Sequence, residues 1–314
     1  MDKKPLFFAK VLLFGEYGII RDSMGLSVPY NFYQGALKLP ASGEISRDAD
    51  NSNFHLRNYV SYLEKLNSDK DFNVNFNIDA LLSDIDNGLY FDSSIPQGYG
   101  VGSSGALVAA LYDKYAIDKI DTNSKLSKEN IQELKRIFGE MESHFHGKSS
   151  GIDPLICYLN IPLLIKSKNE IDPVGIPDMV EGKGAVFLID SGMPGETQPM
   201  VNIFMEKCKQ EGFRNMLKEQ FVKYNDACIK SFVKGEFTTL FKNMKDLSSL
   251  VLDNFKPMIP DSFHNLWQKG IDSDDYYMKL CGSGGGGYIL GFAEDFQKAE
   301  ESLKDHKLEV IYRF

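Results

Sequence analysis

Between Pro96 and Gly105 the chain reads Pro-Gln-Gly-Tyr-Gly-Val-Gly-Ser-Ser-Gly, and a dense run of Ala, Leu and Val begins at Ala106. Alternating glycines let a backbone turn with its N–H groups facing inward, clear of side chains. The run from Ala106 to Tyr115 predicts a buried helix, whose first turn adds unpaired N–H groups and the positive end of its dipole. A loop of this kind feeding a helix makes a phosphate cradle. Ser103 or Ser104 can cap that helix, and a hydroxyl at this edge can also reach a metal ion on the phosphates. The Gly-Lys-Ser/Thr ending of the ordinary P-loop is missing, which excludes that motif. Gly100, Gly102 and Gly105 have the spacing of a dinucleotide-binding turn, but no continuous hydrophobic strand enters the loop and Pro96 stands just ahead of it.

The rest of the chain reads as a mixed α and β protein. Its 314 residues exceed one ordinary core and fit two domains. Pro, Gly and charged residues cluster between Lys166 and Lys183, so the expected domains are 1–180 and 181–314. Phe7 to Gly15 reads as a buried strand, and Pro29 to Ile45 as several short ones separated by Gly35, Pro40 and Gly43. The alternation of Phe72, Val74, Phe76 and Ile78 predicts a further strand. Helical spacing runs from Phe54 to Leu66, and again from a Ser127 cap to about Phe145. Pro154 to Ile165 is another apolar element. In the second half, strands are expected at Ala185–Ile189, Tyr288–Phe292 and Leu308–Tyr312, two or three helices between Met200 and Leu252, a loop around Pro257 and Pro260, and a short helix near Phe296–Leu303.

A formal net charge of −9 and the lack of a basic stripe argue against a nucleic-acid partner and leave room for a small anionic ligand. Cys157, Cys208, Cys228 and Cys281 are scattered without a CxxC pair, as in a reduced cytoplasmic chain. Lys10 interrupts the N-terminal apolar run, no cleavage site follows, and no stretch of about 18 apolar residues occurs, so neither a secretory signal nor a membrane span is expected.

Three further segments carry chemistry. Glu142 and Asp153 flank Ser143-His144-Phe145-His146-Gly147-Lys148-Ser149-Ser150-Gly151-Ile152, whose glycines and serines permit a tight turn that brings the two carboxylates to one place. Such a pair can divide metal binding from proton transfer; His144 and His146 could instead join Asp153 on zinc. Lys10 lies inside an apolar strand, where a lysine is costly unless an anion, Asp153 or a phosphate, meets it. Lys279-Leu280-Cys281 leads into Gly282-Ser283-Gly284-Gly285-Gly286-Gly287, a backbone suited to close approach by another surface.

Together and in this order, these segments resemble the GHMP kinases, whose phosphate loop reads Pro-x-Gly-x-Gly-x-Gly-Ser-Ser. The segment from Glu142 to Asp153 is most similar to mevalonate kinases. The resemblance implies an α+β fold with a ribosomal-protein-S5-like N-terminal domain and a ferredoxin-like C-terminal one, and an ATP- and Mg²⁺-dependent kinase acting on a hydroxyl of a small metabolite. Gly98, Gly100, Val101, Gly102, Ser103 and Ser104 would hold the nucleotide, and Ser104 and Glu142 the Mg²⁺. Asp153 and Lys10 would be catalytic, and Glu16, Tyr17 and Gly284 would face the acceptor. Tyr17 stands where mevalonate kinases usually have His, and Lys148 and Lys166 are the cations nearest in sequence for an acceptor carboxylate. Mevalonate is the expected acceptor; phosphomevalonate, a sugar, or a ligand-sensing homologue without catalysis are the alternatives. No membrane partner is expected, and a monomer or dimer fits equally.

Overall fold

A computed structural model describes residues 5–21, 23–40, 46–122, 126–167 and 170–314, the side chain of His146 excepted. The chain divides into two compact units.

The first unit comprises Met1–Lys10, Pro29–Pro96 and Gly102–Asn160. It takes the first residues of β1 (Phe7–Phe14) and the later part of β2 (Gly25–Lys38), then α1 (Arg47–Ser68), α2 (Ile78–Asp86), β3 (Tyr90–Ser93), α3 (Ser103–Tyr115), α4 (Lys128–His146) and α5 (Ile152–Leu159). The end of β2 pairs antiparallel with β3, from Gly35 opposite Ser93 to Lys38 opposite Tyr90. Ser46 and Ser127 start α1 and α4 by accepting hydrogen bonds from the N–H groups of Ala49 and Asn130. The apolar stripes Leu56, Tyr59, Val60 and Leu63 of α1 and Ile131, Leu134, Phe138 and Met141 of α4 are buried, as three-to-four spacing dictates. α3 is deeply buried: Ala106, Val108, Ala109, Leu111 and Tyr112 have no exposed surface, and Tyr112 meets Phe138 and Tyr158 edge-on.

Two expectations change here. The several short strands after Pro29 are one strand that passes through Pro29 and Gly35; residues 41–45 lie outside the described ones. Phe72, Val74 and Phe76 are buried, as their alternation demands, yet they form no strand, Phe76 making an isolated bridge to Ala116. The side chain of Asn67 instead satisfies both backbone groups of Phe76, and Asn77 caps α2 at once, which ends the extended stretch.

The second unit comprises Val11–Val28, Gln97–Val101 and Ile161–Phe314. The start of β2 pairs with β4 (Leu163–Ser167), which turns back into β5 (Glu170–Pro173). A four-stranded antiparallel sheet has the order β7-β8-β6-β9, formed by β6 (Ala185–Asp190), β7 (Tyr277–Leu280), β8 (Tyr288–Ala293) and β9 (Leu308–Arg313). Nearly all of β6 and β8 is buried, which explains their continuous apolar runs, and β7 is buried throughout although it carries Lys279. The helices are α6 (Thr197–Lys207), α7 (Glu211–Met216), α8 (Val222–Lys234), α9 (Phe237–Asn254), α10 (Asp261–Ser273) and α11 (Phe296–Ser302). Helix α10 begins directly after Pro260 and buries Trp267 completely, the indole N–H donating to Ser248 Oγ at 2.8 Å. Among the described residues no helix is long and apolar enough to cross a membrane.

Candidate active site

In the first unit the helix that follows the glycine loop, the β1 lysine and the two carboxylates converge. Lys10 is 3% exposed, and its Nζ lies 2.8 Å from Asp153 Oδ2, while the Asp153 side chain stays 39% exposed. Burial strips the ammonium of water, so the anion beside it is required. Asp153 stands in the first turn of α5, where helix N–H groups favour a carboxylate. Its height is fixed by a close approach: Gly105 of α3 lies so near α5 that a β-carbon there would sit 2.9 Å from the Asp153 carbonyl carbon and the Pro154 nitrogen.

The entry to α3 differs from expectation. Neither Ser103 nor Ser104 caps the helix. The capping position is Gly102, with a left-handed φ of 83° and no side-chain bond to the first turn, so the turn's N–H groups are not masked by a cap. A β-carbon at Gly102 would also meet Lys10 Cγ at 2.9 Å. Ser103 is half-buried in the first turn. The Ser104 hydroxyl reaches across to α4 and donates to Glu142 Oε1 at 2.9 Å.

Glu142 is 4% exposed. Its other oxygen accepts a hydrogen bond from Ser149 Oγ at 2.5 Å. Burial, and next the negative charge of Asp153, push the Glu142 carboxyl up to about 7, against the opposing pull of the Ser149 and Ser104 hydroxyls and of Lys10. Beneath the loop, the Cys157 thiol faces the Gly102 carbonyl at 3.7 Å and is pushed well up by burial.

The hydroxyl and carboxylate oxygens of Ser104 and Glu142 are the donor type that a hard cation such as Mg²⁺ takes. No group of three His, Cys, Asp or Glu side chains among the described residues is placed to hold a metal ion unaided. His144 packs against Tyr59 and Tyr62 instead.

The second unit holds the remaining candidates. Gly98 accepts a hydrogen bond from the Gly195 N–H at 2.8 Å, Gly100 lies against the Cys281 carbonyl, and Val101 is fully buried. Tyr17 donates its hydroxyl to the Ser283 carbonyl, next to Gly284, at 2.7 Å and packs on Phe204 with ring centroids 4.6 Å apart. Burial, then the charge of Glu16, raise the Tyr17 phenol far above its ordinary value, so it stays a donor. Glu16 forms a buried salt bridge with Lys279 of β7, and the two line a small cavity with Tyr17, Phe221, Asn225 and Phe255.

Sequence reasoning therefore passed over two residues. Lys279 carries the same signal as Lys10, a lysine inside an apolar strand. Ser149 carries none, being one serine in a glycine- and serine-rich turn. Of the two cations considered for an acceptor carboxylate, Lys148 is exposed, and Lys166 of β4 bonds Glu170 and Asp172.

The sequence profile described as the GHMP kinases N terminal domain matches residues 59–160. A search of curated proteins returns no match. Solved structures similar to this chain include L. major mevalonate kinase in complex with R-mevalonate, 17% identical over 97% of this chain and 92% of that one, with a TM-score of 0.63. Lactococcus lactis galactokinase complexed with galactose is 13% identical over 99% and 94%, TM-score 0.64. Streptococcus pneumoniae phosphomevalonate kinase in complex with phosphomevalonate and AMPPNP is 13% identical over 98% and 100%, TM-score 0.64. The expected α+β fold is the fold of these kinases.

Proposed function

We propose that this chain is a GHMP-type kinase that moves the γ-phosphoryl group of ATP onto a hydroxyl of a small metabolite, a reading that the likeness of residues 59–160 to the GHMP kinases N terminal domain supports. The observation that carries the reading is the pair formed by buried Lys10 and half-exposed Asp153 in the first turn of α5, packed against the helix that the glycine loop feeds. Asp153 accepts the proton of the acceptor hydroxyl. Lys10, held in a dry setting, stabilises negative charge on the reacting oxygens as the phosphoryl group moves. Gly98, Gly100, Val101, Gly102 and Ser103 belong to the loop that receives the nucleotide phosphates, and Ser104 and Glu142 hold Mg²⁺. When bound, that ion neutralises charge on the β- and γ-phosphates. In this scheme residues 1–180 are the N-terminal kinase domain and 181–314 the C-terminal one.

The acceptor we propose is mevalonate, with Glu16, Tyr17 and Gly284 shaping its pocket. The likeness of the Glu142–Asp153 segment to mevalonate kinases supports this choice, while phosphomevalonate and galactose are bound by other proteins of the same fold. The test is competition between mevalonate, phosphomevalonate and simple sugars at equal concentration, with ATP and limiting enzyme. Mevalonate should have the highest kcat/KM. A higher value for a rival replaces the acceptor and leaves the phosphoryl transfer; no ATP turnover with any acceptor overturns the whole reading.

A further inference from the structure

The two oxygens of Glu142 are held by different hydroxyls. Ser104 of α3 donates to Oε1 at 2.9 Å, and Ser149, from the turn between α4 and α5, donates to Oε2 at 2.5 Å. Ser149 is itself fixed at two points, and its partner Ser143 at a third. Its hydroxyl oxygen accepts from the Gly151 N–H at 3.1 Å, its own N–H donates to Ser143 Oγ at 3.1 Å, and Ser143 Oγ donates to the Gly139 carbonyl of α4 at 2.7 Å. A serine hydroxyl has one proton. Here the Gly151 N–H occupies a lone pair, so that proton is directed at Glu142.

We propose that Ser149 is a positioning residue for Mg²⁺. By pinning Oε2 it turns the carboxylate of Glu142 so that Oε1 faces Ser104, and it restricts Glu142 to one oxygen toward the cation. The inference rests on the functional reading above, in which Ser104 and Glu142 hold the metal. Without the Ser149 bond the carboxylate is free to rotate about its terminal torsion, which is broad and roughly two-fold. It can then swing Oε1 away from Ser104 or offer both oxygens. Mg²⁺ tolerates little departure from octahedral geometry, so affinity falls while the nucleotide's own contacts remain.

The experiment measures Mn²⁺ binding, by electron paramagnetic resonance and by calorimetry, to the intact protein with a non-hydrolysable ATP analogue. Ser149→Ala should weaken Mn²⁺ by about 10- to 100-fold, the usual range for loss of a group that orients a ligand. Analogue binding in EDTA and the melting temperature should stay near wild type. Ser149→Thr, which keeps the hydroxyl, should restore affinity, and Ser149→Cys, a weak donor, should fall between and gives a second reading if the alanine variant folds poorly. Wild-type Mn²⁺ affinity in Ser149→Ala, or failure of Ser149→Thr to restore it, overturns the positioning role alone. Absence of analogue-dependent Mn²⁺ binding in the wild-type protein overturns the metal assignment of Ser104 and Glu142, and this inference with it.

Discussion

A half-exposed carboxylate held against a buried ammonium is arranged to meet a partner from one side only. Asp153 keeps 39% of its side chain open while Lys10 keeps 3%. Asp153→Asn should therefore leave the Kd for ATP nearly unchanged and lower kcat by about 10²- to 10⁴-fold, the range for loss of a general base. Measured kcat near wild type would remove Asp153 from the proton path. Glu142 gives a different signature in the metal-free protein. Its carboxyl is raised from an ordinary 4.5 to about 7, so the native state holds a proton that the unfolded chain has released. Stability is then fully present below about pH 4.5 and declines as pH rises towards 7, by on the order of 3 kcal/mol for a shift of this size. Urea unfolding across that window in EDTA should show the decline, and Glu142→Gln should flatten it. An unchanged slope in the variant would assign the effect elsewhere.

Between elements, the decisive contact is that of α3 with α5 at Gly105. A β-carbon there has to displace the backbone that carries Asp153, and a misplacement on the order of 1 Å can cost about 10²-fold in rate. Gly105→Ala should accordingly lower kcat far more than it weakens nucleotide binding; a silent substitution would mean that α5 moves freely. The elements also show what the sequence could and could not disclose. Lys10 was legible because a lysine in an apolar strand needs an anion, and Asp153 because glycines and serines precede it. The same logic holds for Lys279, whose anion is Glu16. Ser149 was illegible, since hydroxyl directions exist only once the turn is built. Pro257 and Pro260 read as loop although a proline at the edge of a helix also marks its start, and α10 follows at once. The alternation at Phe72–Phe76 reported burial correctly, but a strand also needs a neighbour for its ladder.

At the scale of the whole molecule, each of the two units has its own internal ties. In the second, the buried bond between Glu16 and Lys279 joins the segment after β1 to β7. Removing one member strands the other charge, so Lys279→Met should destabilise by about 3–5 kcal/mol, whereas Glu16→Gln combined with Lys279→Met should recover much of that loss. Chemical denaturation of the single and double variants measures it, and a small effect in Lys279→Met would mean that Glu16 is readily solvated. The position of the single tryptophan has a spectroscopic consequence. Trp267 is fully enclosed in the second unit, with its indole N–H on Ser248. Intrinsic emission excited where tyrosine does not absorb therefore follows that unit alone, while far-ultraviolet circular dichroism follows the helices of both. Coincident curves from the two signals would mark one cooperative transition, and separated curves would show which half of the chain lets go first without any added label.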